Sequence, residues 1–251
     1  MRPVWLTVDT DDLRHTPSSQ GHPTRSKGTT HEGTSPEMKL AMKSFREWLD
    51  RTQVSVAMFV IADQLDDGYF ATWLKDLLEN HDQVTIACHG LTHKCWSAYP
   101  KDEEGFLAAL VEADVKLHKF AKDAWRPWFR APAGYIAPWM APIIAKAGFE
   151  LDSSVNPSWI VRKKAGPWKD WNAVLKALKD SGLVSRPWLC KFGLPTCGPA
   201  LSIPILRNNA RRVWKKLGPF VLPDETEETV YWHVLDHGRK NGTWKPPLMI
   251  E

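Results

Sequence analysis

Several features that would assign a protein class at once are missing from this sequence. The 251 residues contain no apolar run of about eighteen residues, the length needed to cross a bilayer, so no transmembrane segment is expected. No charged region followed by an apolar one precedes the first β-like run, so no signal peptide is expected either. These absences predict a cytoplasmic protein.

Cysteine is also scarce, and neither sign of charge is in large excess. The four cysteines (Cys88, Cys95, Cys190 and Cys197) form no Cys-x-x-Cys pair, which argues against a structural zinc site and for free thiols in a reducing compartment. The formal net charge of +4 is too small to indicate a nucleic-acid partner. It suits a small anionic substrate slightly better than a cationic one.

What the sequence does contain is an alternation of apolar β-like runs and amphipathic helical patterns. Strands are predicted over residues 4–8, 54–61, 84–87, 128–130, 149–151, 202–206 and 229–232. Helices are predicted to start at Ser35-Pro36 and to cover residues 70–78, 101–122, 138–147, 171–179 and 208–217. The alternation indicates parallel βαβ units in an α/β fold. With no internal repeat or linker, we predict a single domain over residues 1–251, with a long loop at 13–34 and an irregular insertion at 156–200.

Ionisable side chains recur where the predicted strands end. They are Asp9, Asp11, His89, Arg130, Asp152 and His233. In a parallel barrel the C-terminal ends of the strands share one face, and active sites lie there. We therefore predict that these scattered residues form one cluster.

Two histidines and an aspartate in this set have the chemistry of metal ligands. His89 and His93 are four residues apart and would share one side of a helical turn. With Asp11 they supply two imidazoles and a carboxylate, and an open catalytic zinc site has three protein ligands and a water. Asp9 lies on the same side of an extended strand as Asp11 and could take a proton from that water as general base.

The remaining residues could complete a hydrolytic site. His233 is the candidate acid that would protonate a leaving amine. Arg130 could pair with Asp9 or Asp152 and hold it ionised. The backbone N–H groups near Gly134 and Tyr135 could line an oxyanion hole.

The ordered motifs together resemble the polysaccharide deacetylases, the family-four carbohydrate esterases with a nodulation-factor deacetylase homology domain. The matching fragments span residue 4 to about 237, and they are Thr7-Val8-Asp9-x-Asp11, His89-Gly-Leu-Thr-His93, Arg130-Ala-Pro132-Ala-Gly134-Tyr135, Asp152-Ser-Ser and Tyr231-Trp-His233. The resemblance implies a distorted (β/α) barrel, usually of seven strands. It also implies metal-dependent hydrolysis of an N-acyl group, typically the acetyl group of N-acetylglucosamine.

The resemblance also implies a role for each matching residue. The metal ligands would be Asp11, His89 and His93, with Asp9 as base, Arg130 as its orienting partner and His233 as acid. Tyr135 would donate its backbone N–H to the oxyanion, and Asp152 would support Arg130.

Two assignments stay open at the sequence level. The family usually opens with two adjacent aspartates, so Asp11 could be the base and Asp12 the ligand. Strand alternation favours Asp9 with Asp11, because Asp11 and Asp12 would face opposite sides. His237 lies close enough to His233 in the chain to be the alternative acid.

The predicted function is therefore removal of an acetyl or formyl group from an amino sugar or a glycan precursor, including precursors linked to a phosphate or a lipid. One divalent metal is expected, with zinc as the first choice, although carboxylate and imidazole accept several divalent ions. The alternatives are a degenerate glycan-binding barrel and a hydrolase of a non-sugar linear amide.

Other polar residues are interpreted without a catalytic role. The basic runs Arg162-Lys163-Lys164 and Arg211-Arg212 are read as solvated faces rather than as a phosphate site. His15, His22 and His31 are not expected among the ligands, because their spacing matches no ligand pattern. The oligomeric state is not predicted.

Overall fold

A parallel β-sheet forms the centre of the computed structural model, which describes residues 2–15, 32–167 and 169–238. Its strands are β1 (Arg2–Asp9), β2 (Val56–Val60), β3 (Val84–Cys88), β4 (Trp125–Phe129), β5 (Leu151–Asp152), β6 (Val184–Ser185), β9 (Leu217–Phe220) and β10 (Thr229–His233). The strand order is β10-β1-β2-β3-β4-β5-β6, and every pairing along it is parallel. The strands β7 (Cys190–Lys191) and β8 (Leu194–Pro195) form a separate antiparallel hairpin.

The sheet curls into a distorted barrel, which confirms the predicted fold class and its seven strands. β9 lies outside the seven-strand order and pairs with the start of β1. Between the two edge strands, an isolated parallel bridge joins Trp188, just beyond β6, to Thr229 at the start of β10. One side of the barrel is thus closed by a single bridge instead of a continuous ladder.

Six α-helices lie among the described residues. They are α1 (Pro36–Thr52), α2 (Gly68–Asn80), α3 (Glu103–Ala121), α4 (Ala141–Lys146), α5 (Trp171–Asp180) and α6 (Pro204–Trp214). The buried side chains of α1 include Met38, Phe45 and Leu49, the apolar positions whose three- and four-residue spacing predicted this helix. No helix among the described residues combines the length and apolar character needed to cross a membrane.

Strand alternation divides the core between the two faces of the sheet. On β1, Val4, Leu6 and Val8 pack into the main apolar cluster, which also contains the buried faces of the helices. Trp5 belongs instead to a smaller cluster with Phe59 and other residues on the opposite face. Because successive side chains alternate, Thr7 and Asp9 share the face of Trp5. Asp9 is therefore directed into the barrel and not toward the helices.

The predicted strand at 202–206 is wrong. In the structure Pro204 is the first residue of α6, so the apolar residues Ile203, Ile205 and Leu206 stand at the start of a helix. Proline suits the first turn of a helix, because the N–H it lacks would have no partner there. The strand that completes the seven is β6, whose two residues are too few to show a periodic pattern.

Candidate active site

The residues predicted to cluster do stand at the C-terminal ends of neighbouring strands. Asp9 is the last residue of β1, Asp152 of β5 and His233 of β10. His89 and Arg130 directly follow β3 and β4. The parallel arrangement thus brings them to one end of the barrel.

Asp11, His89 and His93 offer ligand atoms that all lie within 4.8 Å of one another. Nε2 of His89 is 3.5 Å from Oδ2 of Asp11, and Nε2 of His93 contacts Oδ1 of the same carboxylate. The three side chains are largely buried, and the rings of the two histidines are 5.2 Å apart. Two imidazoles and a carboxylate therefore converge on one small volume.

The hydrogen bonding of these side chains fits a metal ion. Nδ1 of His89 is 2.8 Å from the carbonyl oxygen of Arg130, which can only accept, so Nδ1 carries a proton and Nε2 is the nitrogen left to face Asp11 and a metal ion. Among the described residues, Oδ2 of Asp11 and Nε2 of His93 are buried without a hydrogen bond of acceptable geometry. Buried polar atoms of this kind need a partner, and a divalent ion between them would supply it.

The charges within the cluster are mutually stabilising. Burial alone would raise the pKa of Asp11, but His93 and His89 hold that pKa well below its usual range. Burial opposes the charged form of His89, while Asp11 and Asp9 raise the pKa of His89 above its ordinary value. The carboxylate is therefore ionised, as metal binding requires, and a bound cation would displace the histidine proton.

Asp9 is held by the guanidinium of Arg130. Nη1 of Arg130 donates to Oδ1 of Asp9 at 2.5 Å, and Nη2 donates to Oγ1 of Thr7 and to Oγ of Ser153. Nε of Arg130 donates to the carbonyl of Ser153 at 2.9 Å, and the side chain has no exposed surface. The fork of donors in arginine matches this set of acceptors, so the Asp9 carboxylate has a fixed orientation.

Asp152 lies beneath this pair without bonding to it. Among the described residues its carboxylate is hydrogen-bonded by the N–H and the hydroxyl of Ser154, and not by Arg130. The Ser154 hydroxyl also accepts the N–H of Ala131, the residue after Arg130. Burial raises the pKa of Asp152 to about 6, against the opposing effect of these hydrogen bonds and of the nearby Arg130 charge. Any support that Asp152 gives to Arg130 therefore comes from its charge or passes through Ser154 and the backbone, and not from a direct hydrogen bond.

His233 faces the cluster from the other side. Its Nε2 lies 3.7 Å from Oδ2 of Asp11, and its Nδ1 lies 3.4 Å from Oδ2 of Asp236. Asp236 also accepts the backbone N–H of His233 at 3.0 Å. Burial disfavours the imidazolium, but Asp236 and the more distant Asp11 raise the pKa of His233 to about 9. The ring is thus a proton donor at neutral pH.

The two alternative residues are bonded to other partners. Asp12 is directed away from the histidines, and its carboxylate accepts the hydroxyl and the N–H of Ser35 and the N–H of Leu13. His237 packs among Phe45, Trp48 and Trp232, and its Nε2 accepts the indole N–H of Trp232. The contacts of both residues thus serve the packing of α1.

The backbone donors predicted near Gly134 and Tyr135 are already in use. The N–H of Gly134 donates to the carbonyl of Ala131, and that of Tyr135 donates to the carbonyl of Pro132. Both bonds close a short 3₁₀ turn over Pro132–Gly134, from which Ala133 lines the cavity. In this conformation both N–H groups are therefore engaged within the turn and not directed at an oxyanion.

A cavity of about 480 Å³ opens over these residues. Its floor contains Asp9, Asp11, His89, His93 and His233, and its remaining walls come mainly from residues 156–199 and from Tyr231 and Leu235. Lys163 and Lys164 belong to this lining, although the sequence had suggested only a solvated basic face for them. Their position depends on how an irregular segment folds, for which the sequence carries no periodic signal.

Trp188 is a further wall residue that the sequence did not indicate. Its indole N–H donates to the carbonyl of Ser153 at 2.7 Å, and its ring lies so close to Gly134 that a Cβ there would come within 2.8 Å of it. Gly134 has a φ of +69°, which also favours glycine. The glycine in the Arg130 motif thus makes room for this tryptophan.

His15 is also close to the metal-ligand cluster. It is buried in the cavity wall, with its ring 6.1 Å from that of His93 and its Nδ1 accepting the N–H of Asp12. Burial, followed by the charge of His93, lowers the pKa of His15 to about 3. A short turn after Asp12 positions it, which the sequence does not indicate. His22 and His31 lie outside the described residues.

Comparison with known proteins gives structural matches only. No family model matches the chain, and no curated protein does. Among solved structures, a predicted polysaccharide deacetylase from Mycobacterium smegmatis aligns with a TM-score of 0.57 at 15% identity, over 96% of this chain and 79% of that one. The allantoinase PuuE aligns with a TM-score of 0.51 at 10% identity, over 96% of this chain and 80% of that one.

A third match has a different activity again. The 4-α-glucanotransferase from Thermococcus litoralis aligns with a TM-score of 0.50 at 13% identity, over 97% of this chain but only 35% of its own length. Since the three names describe different reactions, the shared fold does not select among them. What the alignments and the barrel do establish is that this chain has a polysaccharide-deacetylase-like fold.

Proposed function

We propose that the protein is a metal-dependent hydrolase that removes a small N-acyl group, acetyl or formyl, from an amino sugar or a glycan precursor. The observation that carries this proposal is the convergence of Asp11, His89 and His93 beside the Asp9–Arg130 pair and opposite His233. A ligand set, a base with a fixed orientation and a protonated acid are the three parts that amide hydrolysis needs.

The ligand set suits a divalent ion, with zinc as the first candidate. Asp11, His89 and His93 would hold it, leaving positions open toward the cavity. When bound, such an ion supplies Lewis acidity that polarises the acyl carbonyl and lowers the pKa of a water.

The residues of the chain then move two protons. Asp9 accepts a proton from the water as the water oxygen bonds to the acyl carbon, and Arg130 keeps its carboxylate in position. His233 gives its proton to the nitrogen as the C–N bond breaks, so that the amine leaves neutral. The products are the free amino sugar and acetate or formate. Asp236 holds the His233 ring in place through the contact to Nδ1.

Hydrolysis of a non-sugar amide would use the same residues. The fold is shared with an allantoinase, so hydrolysis of a non-sugar amide remains a second candidate for this site. Trp188 and Tyr231 line the cavity but are only 3% and 6% exposed, so these rings do not by themselves select between a sugar and another amide.

A substrate panel tests the proposal. Release of acetate or formate would be measured from N-acetyl and N-formyl amino sugars and from allantoin, with and without a chelator and added Zn²⁺. We expect release from at least one amino sugar, loss of activity with the chelator and recovery with metal. If no substrate is turned over and the purified protein retains no metal, the proposal is wrong, and a glycan-binding barrel becomes the better explanation.

Two substitutions test the roles assigned to Asp9 as the base and to His89 as a metal ligand. Asp9→Asn should lower kcat by about 10²- to 10⁴-fold without loss of metal, because Asp9 is the base and is not one of the three ligands. His89→Ala should lower both metal content and activity. The matched controls are Asp82→Asn and His118→Ala at exposed positions, which should leave both unchanged. Full activity in Asp9→Asn would refute the assignment of the base.

A further inference from the structure

Positive charge is concentrated in one part of the chain. Residues 153–222 contain 13 Lys and Arg but only 2 Asp and Glu, whereas the rest of the chain contains 20 and 27. The overall net charge of +4 therefore conceals a strongly basic segment and an acidic remainder. This segment also forms most of the walls of the cavity.

The same segment exposes large apolar side chains. Phe192 is 84% exposed and Ile205 80% exposed, the two highest values for large apolar residues in the described part of the chain. Trp159 and Ile160 are 59% and 47% exposed. Single exposed apolar residues are common, but a group of them beside a ligand cavity marks an interaction surface.

Contacts join Trp159, Ile160 and Phe192, but not Ile205, into one surface at the cavity mouth. The hydroxyl of Ser158 donates to the carbonyl of Gly193 at 2.9 Å, which ties the hairpin tip to the turn that starts at Trp159. Trp159 packs directly on Gly193, next to Phe192. From the same turn, Ile160 lines the cavity.

The charged residues of this surface alternate with the apolar ones. Arg162 and Lys163 follow Ile160 and are exposed, and Lys163 also lines the cavity. Nζ of Lys191 lies 4.9 Å from the centre of the Phe192 ring. We call the set Trp159, Ile160, Arg162, Lys163, Lys191 and Phe192 the mouth surface.

We propose that the mouth surface docks on a membrane that contains anionic lipids. Aromatic and aliphatic side chains beside lysine and arginine are the combination that binds at the headgroup level, where the rings enter the interface and the cations meet lipid phosphates. A face that only needed solvation would not expose Phe192 at a hairpin tip. A surface for a soluble polyanion would need the charge but not the unstacked aliphatic side chains.

Docking in this orientation would place the cavity against the bilayer. A substrate held in the membrane by a lipid would then present its amino-sugar headgroup to Asp9 and the metal ligands. This consequence rests on the proposed hydrolase function, whereas the docking itself does not.

Vesicle sedimentation tests the docking with the full chain. The protein would be spun with vesicles of phosphatidylcholine and with vesicles of phosphatidylcholine and phosphatidylglycerol, at low and high NaCl. We expect binding to the anionic vesicles, little binding to the neutral ones, and weakening by salt. Phe192→Ser should reduce the partition coefficient about tenfold. Arg162→Gln and Lys191→Gln should each reduce it about fivefold.

Two variants outside the mouth surface control for the loss of an exposed apolar residue or of an exposed charge elsewhere on the protein. Val115→Ser changes an apolar residue of α3 that is 61% exposed, and Lys101→Gln removes an exposed charge, both outside the mouth surface. Neither should alter vesicle binding. Circular dichroism and Tm would check that each variant is folded.

Three outcomes would overturn the docking proposal. The first is equal sedimentation with neutral and anionic vesicles, and the second is no sedimentation with either. The third is full vesicle binding by Phe192→Ser together with loss of binding in the two charge variants. This result would mean that the protein adsorbs by charge alone, without insertion of apolar side chains. Asp9→Asn separates the two proposals, since it should bind vesicles normally while losing hydrolysis of a soluble substrate.

Discussion

Arg130 is a fully buried charge whose three side-chain nitrogens all donate hydrogen bonds. Its guanidinium contacts Asp9, Thr7 and Ser153, and its Cζ lies 4.0 Å from the centre of the Phe59 ring. A lysine has one charged nitrogen and cannot reproduce the planar fork. The residue therefore serves both the orientation of Asp9 and the stability of the barrel interior.

We predict that Arg130→Lys lowers kcat about 100-fold and destabilises the protein by about 3 kcal/mol, because it leaves buried acceptors without donors. Activity on a soluble substrate and urea unfolding would measure the two effects. The control is Arg2→Lys in the exposed pair with Glu228, which should cost less than about 1 kcal/mol. Wild-type kcat in Arg130→Lys would contradict the positioning role.

Asp152 makes a pH-dependent contribution to stability. Its folded pKa of about 6 lies above the ordinary value of 3.8, so the folded state binds more protons than the unfolded state between these values. Stability from this group is thus present at low pH and is lost as the pH rises through this window. The raised pKa corresponds to about 3 kcal/mol in total.

Asp152→Asn should remove this dependence. Relative to wild type, we expect the variant to gain up to about 3 kcal/mol in unfolding free energy between pH 4 and pH 7. Urea unfolding across this range would measure it, with Asp82→Asn at an exposed turn as the control. A difference between variant and wild type that does not change with pH would show that Asp152 titrates normally.

Among individual residues, those at strand ends were the predictable ones. Asp9, His89, Arg130 and His233 are fixed by the strands that precede them, so finding the strands brings the residues together. His15 and Trp188 were not predictable, because turns and an irregular segment bring them to the site. The N–H of Tyr135 was also not predictable, because the motif suggested a free donor, whereas this N–H donates to the carbonyl of Pro132 within a local turn.

At the scale of elements, α1 is connected to the site through its first turn. Ser35 caps the helix by accepting the N–H of Met38 at 3.0 Å, and its own N–H and hydroxyl donate to Asp12. One serine therefore joins the end of the β1 segment to the start of α1. The local part of this arrangement, a serine before a proline, was readable from the sequence, but the bond to Asp12 was not.

We predict that Ser35→Ala destabilises the protein by about 2 kcal/mol, since it removes a helix cap and a hydrogen bond to a buried carboxylate. The control is Ser44→Ala within the same helix, which should be neutral or slightly stabilising because alanine is the better helix former. Urea unfolding would measure both variants. Equal effects of the two substitutions would mean that the Ser35 cap does not contribute to the free energy of unfolding.

The elements that sequence reasoning missed are short or begin with proline. β6 has two residues, and its pairing with β5 depends on the sheet that is already present. The apolar run around Ile203 reads as a strand until the position of Pro204 in the first turn of α6 is known. Long amphipathic helices such as α1 and α3 were identified because their periodicity extends over several turns.

For the whole molecule, a metal at this site would link β1 to β3, because Asp11 follows one and both histidines follow the other. We predict that Zn²⁺ at about 100 times its Kd stabilises the protein by about 2.7 kcal/mol. Thermal unfolding with metal and with chelator would measure the shift. Asp11→Asn should abolish it, while Asp82→Asn should retain it, and an equal shift in both variants would contradict the assigned ligands.

The bond between Asp12 and Ser35 has a consequence for protein engineering. It fastens together the two ends of the segment between these residues, next to the cavity, in whose wall His15 of that segment lies. Loop closure costs rise only slowly with length, so sequences of different length should be accepted there as grafts. The position is therefore a natural point for inserting a recognition peptide that would change substrate choice without altering the ligands beneath it.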